Sequence, residues 1–139
     1  MTAPVEETLV LIKPDGVKRQ LTGEILRRIE AKGYVVADLK MVSASTELLH
    51  AHYEEHQGKP FFEPLVEFML SGPVVAIRLQ GNRVIEGFRS LAGTTDPTTA
   101  APGTIRGDLG RDWGLKVAQN LVHGSDSVES ATRELALWF

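Results

Sequence analysis

The sequence predicts an α/β fold: a sandwich of the ferredoxin-like type, with a four-stranded antiparallel sheet and added helices. Two observations carry this. Strand-like and helix-like segments alternate in the order β, α, β, paired α, β, α, loop, β, α, and counting the paired helices as one layer leaves βαββαβ with additions. The length of 139 residues suits one domain, 1–139, because two would each need roughly 100 residues or more.

Residues 8–12 are a short β-rich apolar run, the pattern of a buried strand. Lys13-Pro14-Asp15-Gly16 then carries turn chemistry. Thr22 is placed to cap a helix over 22–32, with Ile25, Leu26 and Ile29 as its apolar face and Gly33 as its stop. In 34–43, Val35, Ala37, Leu39 and Met41 alternate with Asp38 and Lys40, which predicts a half-buried strand with the apolar set inward. Ser45 or Thr46 opens a helix to His56. Pro60 starts another, with Leu65, Val66, Met69 and Leu70 inward and Gly72-Pro73 as its end. Residues 74–79 read as a strand, and Asn82 as the cap of a helix to Ala92 buried through Val84, Phe88 and Leu91. Residues 93–116 lack a period and are rich in Gly and Pro, and a loop of that length inside a compact domain is functional or disordered. Residues 117–122 read as the last strand, and Asp126 with Glu129 as a capping pair for a helix over 127–135.

Composition removes several functions. The chain has no cysteine, which excludes disulfides, thiolate metal sites and a cysteine nucleophile. Fifteen basic residues against 18 acidic ones leave a net charge of −3, which argues against a general nucleic-acid binder. Pro4, Glu6 and Glu7 interrupt the start of the chain, so no signal peptide is expected there. No apolar run approaches the roughly 20 residues of a membrane span. The expectation is a cytoplasmic protein without a membrane partner.

Two familiar phosphate signatures, G-x-x-x-x-G-K-[ST] and a strand-borne G-x-G-x-x-G, are absent. His52-Tyr53-Glu54-Glu55-His56 matches the H-x-x-E-H of inverted zincins, whose two His share a helix face. No third ligand accompanies it, and a polar helix end before Gly58 is the plainer reading. His123-Gly124-Ser125-Asp126-Ser127 falls where a strand passes into a helix, a place where sites collect and where free N–H groups favour an anion. Imidazole there is a competent nucleophile near neutral pH; the alternative is an edge residue beside a helix cap. Ser125 or Asp126 would cap that helix, and a Ser125–His123–Asp126 triad is disfavoured because residues so close in sequence seldom converge. Glu134 lies two helical turns beyond Asp126 on the same face, within reach of the imidazole if the helix packs back along the strand; otherwise it faces solvent. Lys13, Arg89 and Arg106 each stand at a junction where a cation can meet a phosphate, or lie on the solvated surface.

Four blocks carry a resemblance: Leu11-Ile12-Lys13-Pro14-Asp15-Gly16-Val17, Gly58-Lys59-Pro60-Phe61-Phe62, Pro102-Gly103-Thr104-Ile105-Arg106-Gly107-Asp108, and Asn120-Leu121-Val122-His123-Gly124-Ser125-Asp126-Ser127. In this order they resemble the nucleoside diphosphate kinases over nearly the whole chain. The resemblance implies the ferredoxin-like sandwich and a reversible transfer of the terminal phosphate from a nucleoside triphosphate to a nucleoside diphosphate. It implies ping-pong kinetics through a phosphohistidine formed at Nδ1 of His123, with Glu134 orienting the ring. Lys13, Tyr53 and Ser125 join the catalytic group. Lys13, Arg89, Thr95 and Arg106 match phosphate ligands, Asn120 and Lys13 match contacts to the ribose, and Phe61 matches the aromatic under the base. Stacking on Phe61 would tolerate every base, so broad specificity is expected. His56 falls where some members place a His on the inner phosphates, which gives the zinc-like pattern another explanation. Mg²⁺ is expected with the nucleotide phosphates and not as a protein metal site, Asp126 being a contact through water. A homo-oligomer, hexamer or tetramer, is implied. Two departures stand out. Thirteen residues separate Arg106 from Asn120, more than in many members, and the chain ends at Trp138-Phe139, short of the tail many members use to touch neighbours. The competing readings are a silent nucleotide-binding domain that kept the fold, and a zinc hydrolase.

Overall fold

The computed structural model describes residues 5–139; the expectation about an N-terminal leader falls in part on residues 1–4, outside the described residues. The first strand, β1 (Glu6–Ile12), is apolar in both phases, and Leu9, Val10, Leu11 and Ile12 are all fully buried. A strand buried on both faces must be central, and β1 is flanked on both sides. The sheet order is β2 (Val35–Val42), β3 (Val74–Gly81), β1 and β4 (Val122–Gly124), with every pair antiparallel. This is the ferredoxin-like arrangement.

Helices cover both faces. On one side α2 (Thr22–Ala31) and α5 (Val84–Ala92) bury Ile25, Ile29, Val84 and Phe88 against Val10, Ile12 and Ile77. On the other, α3 (Thr46–His52), α4 (Phe62–Leu70) and α7 (Val128–Trp138) bury Leu49, Val66, Met69, Leu135 and Trp138 against Leu9, Leu11 and Ala76. Along α7 the buried positions are Ala131, Glu134, Leu135 and Trp138, the i, i+3, i+4, i+7 stripe of a core-facing helix. The helical period therefore carries Glu134 inside with its apolar neighbours, and the solvent-facing alternative does not hold.

Several local expectations are corrected. Lys13-Pro14-Asp15-Gly16 opens a short helix, α1 (Pro14–Lys18), with proline at its first position, where a missing N–H costs nothing. Leu21, not Thr22, precedes α2, and Arg83 in a left-handed conformation (φ 53°), not Asn82, precedes α5. Ser45 caps α3 by accepting from the Leu48 N–H, but that helix stops at His52 and a 3₁₀ turn, Glu54–His56, follows. Helix α4 begins at Phe62 instead of Pro60, and Leu70 is exposed, whereas Leu91 is partly buried against the core. The 93–116 segment contains α6 (Ile105–Leu109), capped by the Thr104 side chain accepting from the Gly107 N–H. The last strand is three residues long, because 117–121 find no partner strand and only Val122–Gly124 pair with β1. Ser127, not Asp126, caps α7, accepting from the Ser130 N–H at 3.1 Å.

The largest departure is β2. Val35, Leu39 and Met41, expected inward, are 58%, 50% and 62% exposed. The strand lies at the sheet edge, paired only with β3, and its register slips between Val36 and Asp38. Leu39 and Met41 stand opposite the buried Ile77 and Val75 of β3 and share their sheet face, so their exposure comes from their place at the sheet edge and not from the slip. No helix among the described residues is long and apolar enough to cross a membrane.

Because Ser127 supplies the side-chain acceptor at the start of α7, Ser127→Ala should lower the unfolding free energy by about 1 kcal/mol, read as a reduced urea midpoint at unchanged slope.

Candidate active site

A cavity of about 780 Å³ opens where β4 ends and α7 begins, a size suited to a small-molecule ligand. His123 is the middle residue of β4 and pairs with Leu11 of the central strand. The strand is held beyond its own ladder. The Ser125 N–H donates to the Leu9 carbonyl, and the Ser125 hydroxyl oxygen accepts from the Leu9 N–H, both at 3.2 Å. Gly124 must lack a side chain, since a Cβ there would stand 2.6 Å from Phe88 Cδ2 of α5.

The chain enters β4 through a strained turn. The Val122 N–H donates to the Asn120 carbonyl at 2.8 Å, and Leu121 between them has φ 72°. This is the rare form of the γ-turn, and a buried leucine in it costs about 1–3 kcal/mol. The surroundings hold it. The Leu121 N–H donates to Asp15 Oδ2 at 3.1 Å, and the Leu121 carbonyl accepts from the Lys13 N–H at 2.8 Å. The Arg106 guanidinium donates to the carbonyls of Asn120, Gly93 and Val122 at 3.0, 2.8 and 2.7 Å. Three of the five donors of Arg106 are thus spent on backbone, and two remain for a ligand.

His123 and Glu134 meet directly, with Nε2 2.8 Å from Oε1. The same carboxylate oxygen accepts from the Ser125 hydroxyl at 2.8 Å, and Glu134 is 5% exposed. A carboxylate in that position takes the proton-bearing nitrogen, so His123 is the Nε2–H tautomer and Nδ1 keeps its lone pair. The structure thereby brings His123, Ser125 and Glu134 into one hydrogen-bonded group.

Lys13, Arg89 and Arg106 line the same cavity, joined by Arg133. Lys13 Nζ donates to Asn120 Oδ1 at 2.9 Å, and Asn120 Nδ2 donates to the Thr95 carbonyl at 3.2 Å. Burial, and then the neighbouring Arg106 charge, pull the Lys13 ammonium down to about 8. Burial and Arg89 bring Arg106 down to about 10. Crowded cations of depressed pKa make a receptor short of negative charge. Tyr53 OH and His56 Nδ1 are buried without hydrogen-bond partners, and both residues line the cavity. Polar atoms in that state are costly unless a ligand satisfies them. Burial and the Glu134 charge raise the Tyr53 phenol, so it stays a proton donor. Phe61 is 46% exposed and outside the cavity lining, edge-on to His56 with ring centroids 5.1 Å apart.

Among the lining carboxylates, Glu134 is engaged by His123 and Ser125, and Glu55 stands 3.8 Å from Arg133. Asp126 is exposed at the rim, its carboxyl held below the usual range by hydrogen bonds from Ser130 and then Ser127. A divalent cation carried in on phosphates fits this donor set better than a resident all-protein Mg²⁺ site, because the buried carboxylate is already engaged and Asp126 stands alone at the rim. The zinc pattern is corrected in one respect. Helix α3 ends at His52, so His52 and His56 do not share the face of one continuous helix.

Three contributors escaped the sequence reading. Asp15 is 6% exposed and holds Leu121. Arg133 donates to the Ala51 carbonyl at 2.8 Å and lies 3.8 Å from Glu134 Oε2. Trp138 donates from Nε1 to His52 Nδ1 at 3.1 Å, beside His123. Of these, only Asp15 left a signal, an acid in a turn motif followed by glycine.

Fold and site together define an α/β sandwich with a histidine paired to a buried carboxylate in a cationic cavity, an arrangement suited to a phosphorylated ligand. The model of the nucleoside diphosphate kinases matches residues 6–139. Over 135 residues the chain is 62% identical to the nucleoside diphosphate kinase of Mycolicibacterium vanbaalenii and 58% identical to that of Streptomyces coelicolor, covering 96% of each chain in both comparisons. The structure of a halophilic nucleoside diphosphate kinase from Halobacterium salinarum in complex with CDP superposes with a TM-score of 0.92 at 46% identity, over 98% of this chain and 88% of that one. The chain belongs to the nucleoside diphosphate kinase family and is an enzyme of that kind.

Asp15→Ala should leave the buried Leu121 N–H unpaired, costing about 1–3 kcal/mol of stability. Urea unfolding reads that loss, and steady-state kinetics should show a matching fall in kcat as the turn before His123 relaxes.

Proposed function

We propose that the enzyme transfers the terminal phosphate of nucleoside triphosphates to nucleoside diphosphates through a phosphohistidine at His123. The observation that carries this is the 2.8 Å contact between Nε2 and Glu134, which reserves Nδ1 for attack. In the first half-reaction the Nδ1 lone pair forms a bond to the terminal phosphorus. The bond from that phosphorus to its bridging oxygen breaks, and the nucleoside diphosphate leaves. As Nδ1 gives up its lone pair, positive charge spreads over the ring and the Glu134 carboxylate stabilises it. In the second half-reaction a terminal phosphate oxygen of another nucleoside diphosphate attacks the same phosphorus and releases His123. Two similar steps replace one transfer, giving ping-pong kinetics.

Most of the barrier reduction comes from positioning and charge. Lys13, Arg89, Arg106 and Thr95 hold the phosphates, the Tyr53 hydroxyl donates to the transferring group, and Asn120 with Lys13 receives the ribose. His56 meets the inner phosphates. Phe61 stacks on the base at the cavity mouth, without a base-edge code, so specificity is broad. Mg²⁺ held by the nucleotide phosphates would neutralise part of their charge, with Asp126 as its contact through water. The CDP in the Halobacterium salinarum structure supports a nucleotide in this cavity. A homo-oligomer belongs to the same proposal, hexamer or tetramer. The exposed Val35, Leu39 and Met41 on the β2 edge offer a second copy an apolar surface and unpaired backbone groups. The cytoplasm is its proposed location.

Incubation with terminally labelled ATP and Mg²⁺ should give an acid-labile, base-stable phosphoprotein that discharges on adding GDP. Undiminished labelling of His123→Ala would overturn the assignment of the nucleophile. The depressed Lys13 predicts a second result. A cation that favours bound phosphate is present below its pKa and lost above it, so kcat/KM, which reports the free enzyme, should decline as pH rises through about 8.

A further inference from the structure

His52 is the last residue of α3, 4% exposed, and lies against the nucleophile: the His52 and His123 ring centroids are 4.8 Å apart with planes at 72°. Its ring also meets Trp138 edge-on, at 5.6 Å and 88°. The contact with Trp138 is directional. The indole Nε1 can only donate, and it donates to His52 Nδ1 at 3.1 Å in a buried setting. His52 Nδ1 must therefore be bare, and the single proton of the neutral ring sits on Nε2. Protonating Nδ1 as well would set two N–H groups against each other.

The lock matters because of what surrounds it. His52, His123 and Glu134 each offer a ligand-type atom, all within 4.8 Å of one another. Two imidazoles and a carboxylate are the donor set of zinc and other late first-row ions. An ion held there would occupy the nucleophile. A histidine ligates through a bare nitrogen, usually while its other N–H donates to an acceptor. Here the bare Nδ1 is taken up by the Trp138 N–H and Nε2 carries a proton, so neither ring nitrogen is free to ligate.

We propose that Trp138 is a positioning residue that acts through His52. By fixing His52 as the Nε2–H tautomer, it keeps an uncharged ring braced against His123 and prevents the His52–His123–Glu134 group from capturing a transition metal. A neutral brace leaves the charge stabilisation of His123 to Glu134 alone, and the rigid edge contact restricts rotation of the nucleophile. The groups that face His52 are His123 from β4, Arg133 and the Glu134 carboxylate from α7, Lys13 before α1, the adjoining Tyr53 ring, and His56 from the 3₁₀ turn; burial first, and then His123, Arg133, Lys13 and His56, hold it down to about 2.

The test begins with the unaltered enzyme. It has four histidines, and nitrogen-15 NMR of histidine-labelled protein distinguishes a bare from a protonated ring nitrogen at each. His52 should show a bare Nδ1 and a protonated Nε2, unchanged between about pH 5 and 8 where free imidazole titrates. An Nδ1–H ring, or titration in that range, overturns the proposal whether or not any variant folds. The second arm uses Trp138→Phe, which removes the N–H donor and keeps an aromatic ring. Its kcat should fall several-fold with little change in nucleotide KM. Inhibition by Zn²⁺, reversed by chelator, should tighten by about tenfold or more relative to the unaltered enzyme. Equal Zn²⁺ sensitivity in folded Trp138→Phe would overturn the metal-exclusion role. The kinetic arm rests on His123 being the nucleophile, whereas the NMR arm does not, so failure of the labelling experiment and failure of the tautomer are told apart.

Discussion

The site depends on one buried carboxylate. Glu134 is 5% exposed, and a charge removed from water is tolerated only when its lone pairs are satisfied. The His123 N–H and the Ser125 O–H supply that satisfaction, both on Oε1, and Arg133 stands 3.8 Å from Oε2. The stabilisation runs both ways. The carboxylate acquires donors, and the imidazole acquires a fixed tautomer with its basic nitrogen free. Ser125 in turn grips the central strand through Leu9, so α7, β4 and β1 become one unit around His123.

A second constraint sits immediately upstream. The γ-turn at Leu121 aims Asn120 at Lys13 and delivers Val122 and His123 to the β1 ladder. Its strain is offset by Asp15, by the Lys13 backbone and by three Arg106 bonds. Two residues that resemblance marks for phosphate therefore also hold the backbone. The Tyr53 hydroxyl and His56 nitrogen, buried without partners, line the same cavity, and buried polar atoms of that kind are costly unless a ligand satisfies them.

Legibility in the sequence followed the range of the interactions. Strand β1, helices α2 and α5, and the His123 block are spelled out by local runs and periods, and βαββαβ follows from them. Helix caps were less legible at Thr22, Asn82 and Asp126, because several polar residues compete for each position and packing chooses among them. The length of β4 could not be read, since an apolar run becomes a strand only where a neighbour accepts its hydrogen bonds. The β2 alternation was legible but the exposure of Leu39 and Met41 was not, because long-range pairing decides which strand lies at the sheet edge.

The sequence by itself determined the residue types and their junctions. It showed a cysteine-free chain, a histidine ahead of a helix start, cations at element ends, and enough specific motif to mark the family. These are properties of short segments, where neighbours in sequence are neighbours in space. Only the tertiary structure decided the contacts from which the site is built: that Glu134 faces inward to His123 Nε2, that Asp15 reaches across to Leu121, and that the Trp138 N–H meets His52 Nδ1. Each joins elements remote in sequence, and a hydrogen bond exists only when packing brings donor and acceptor to about 3 Å.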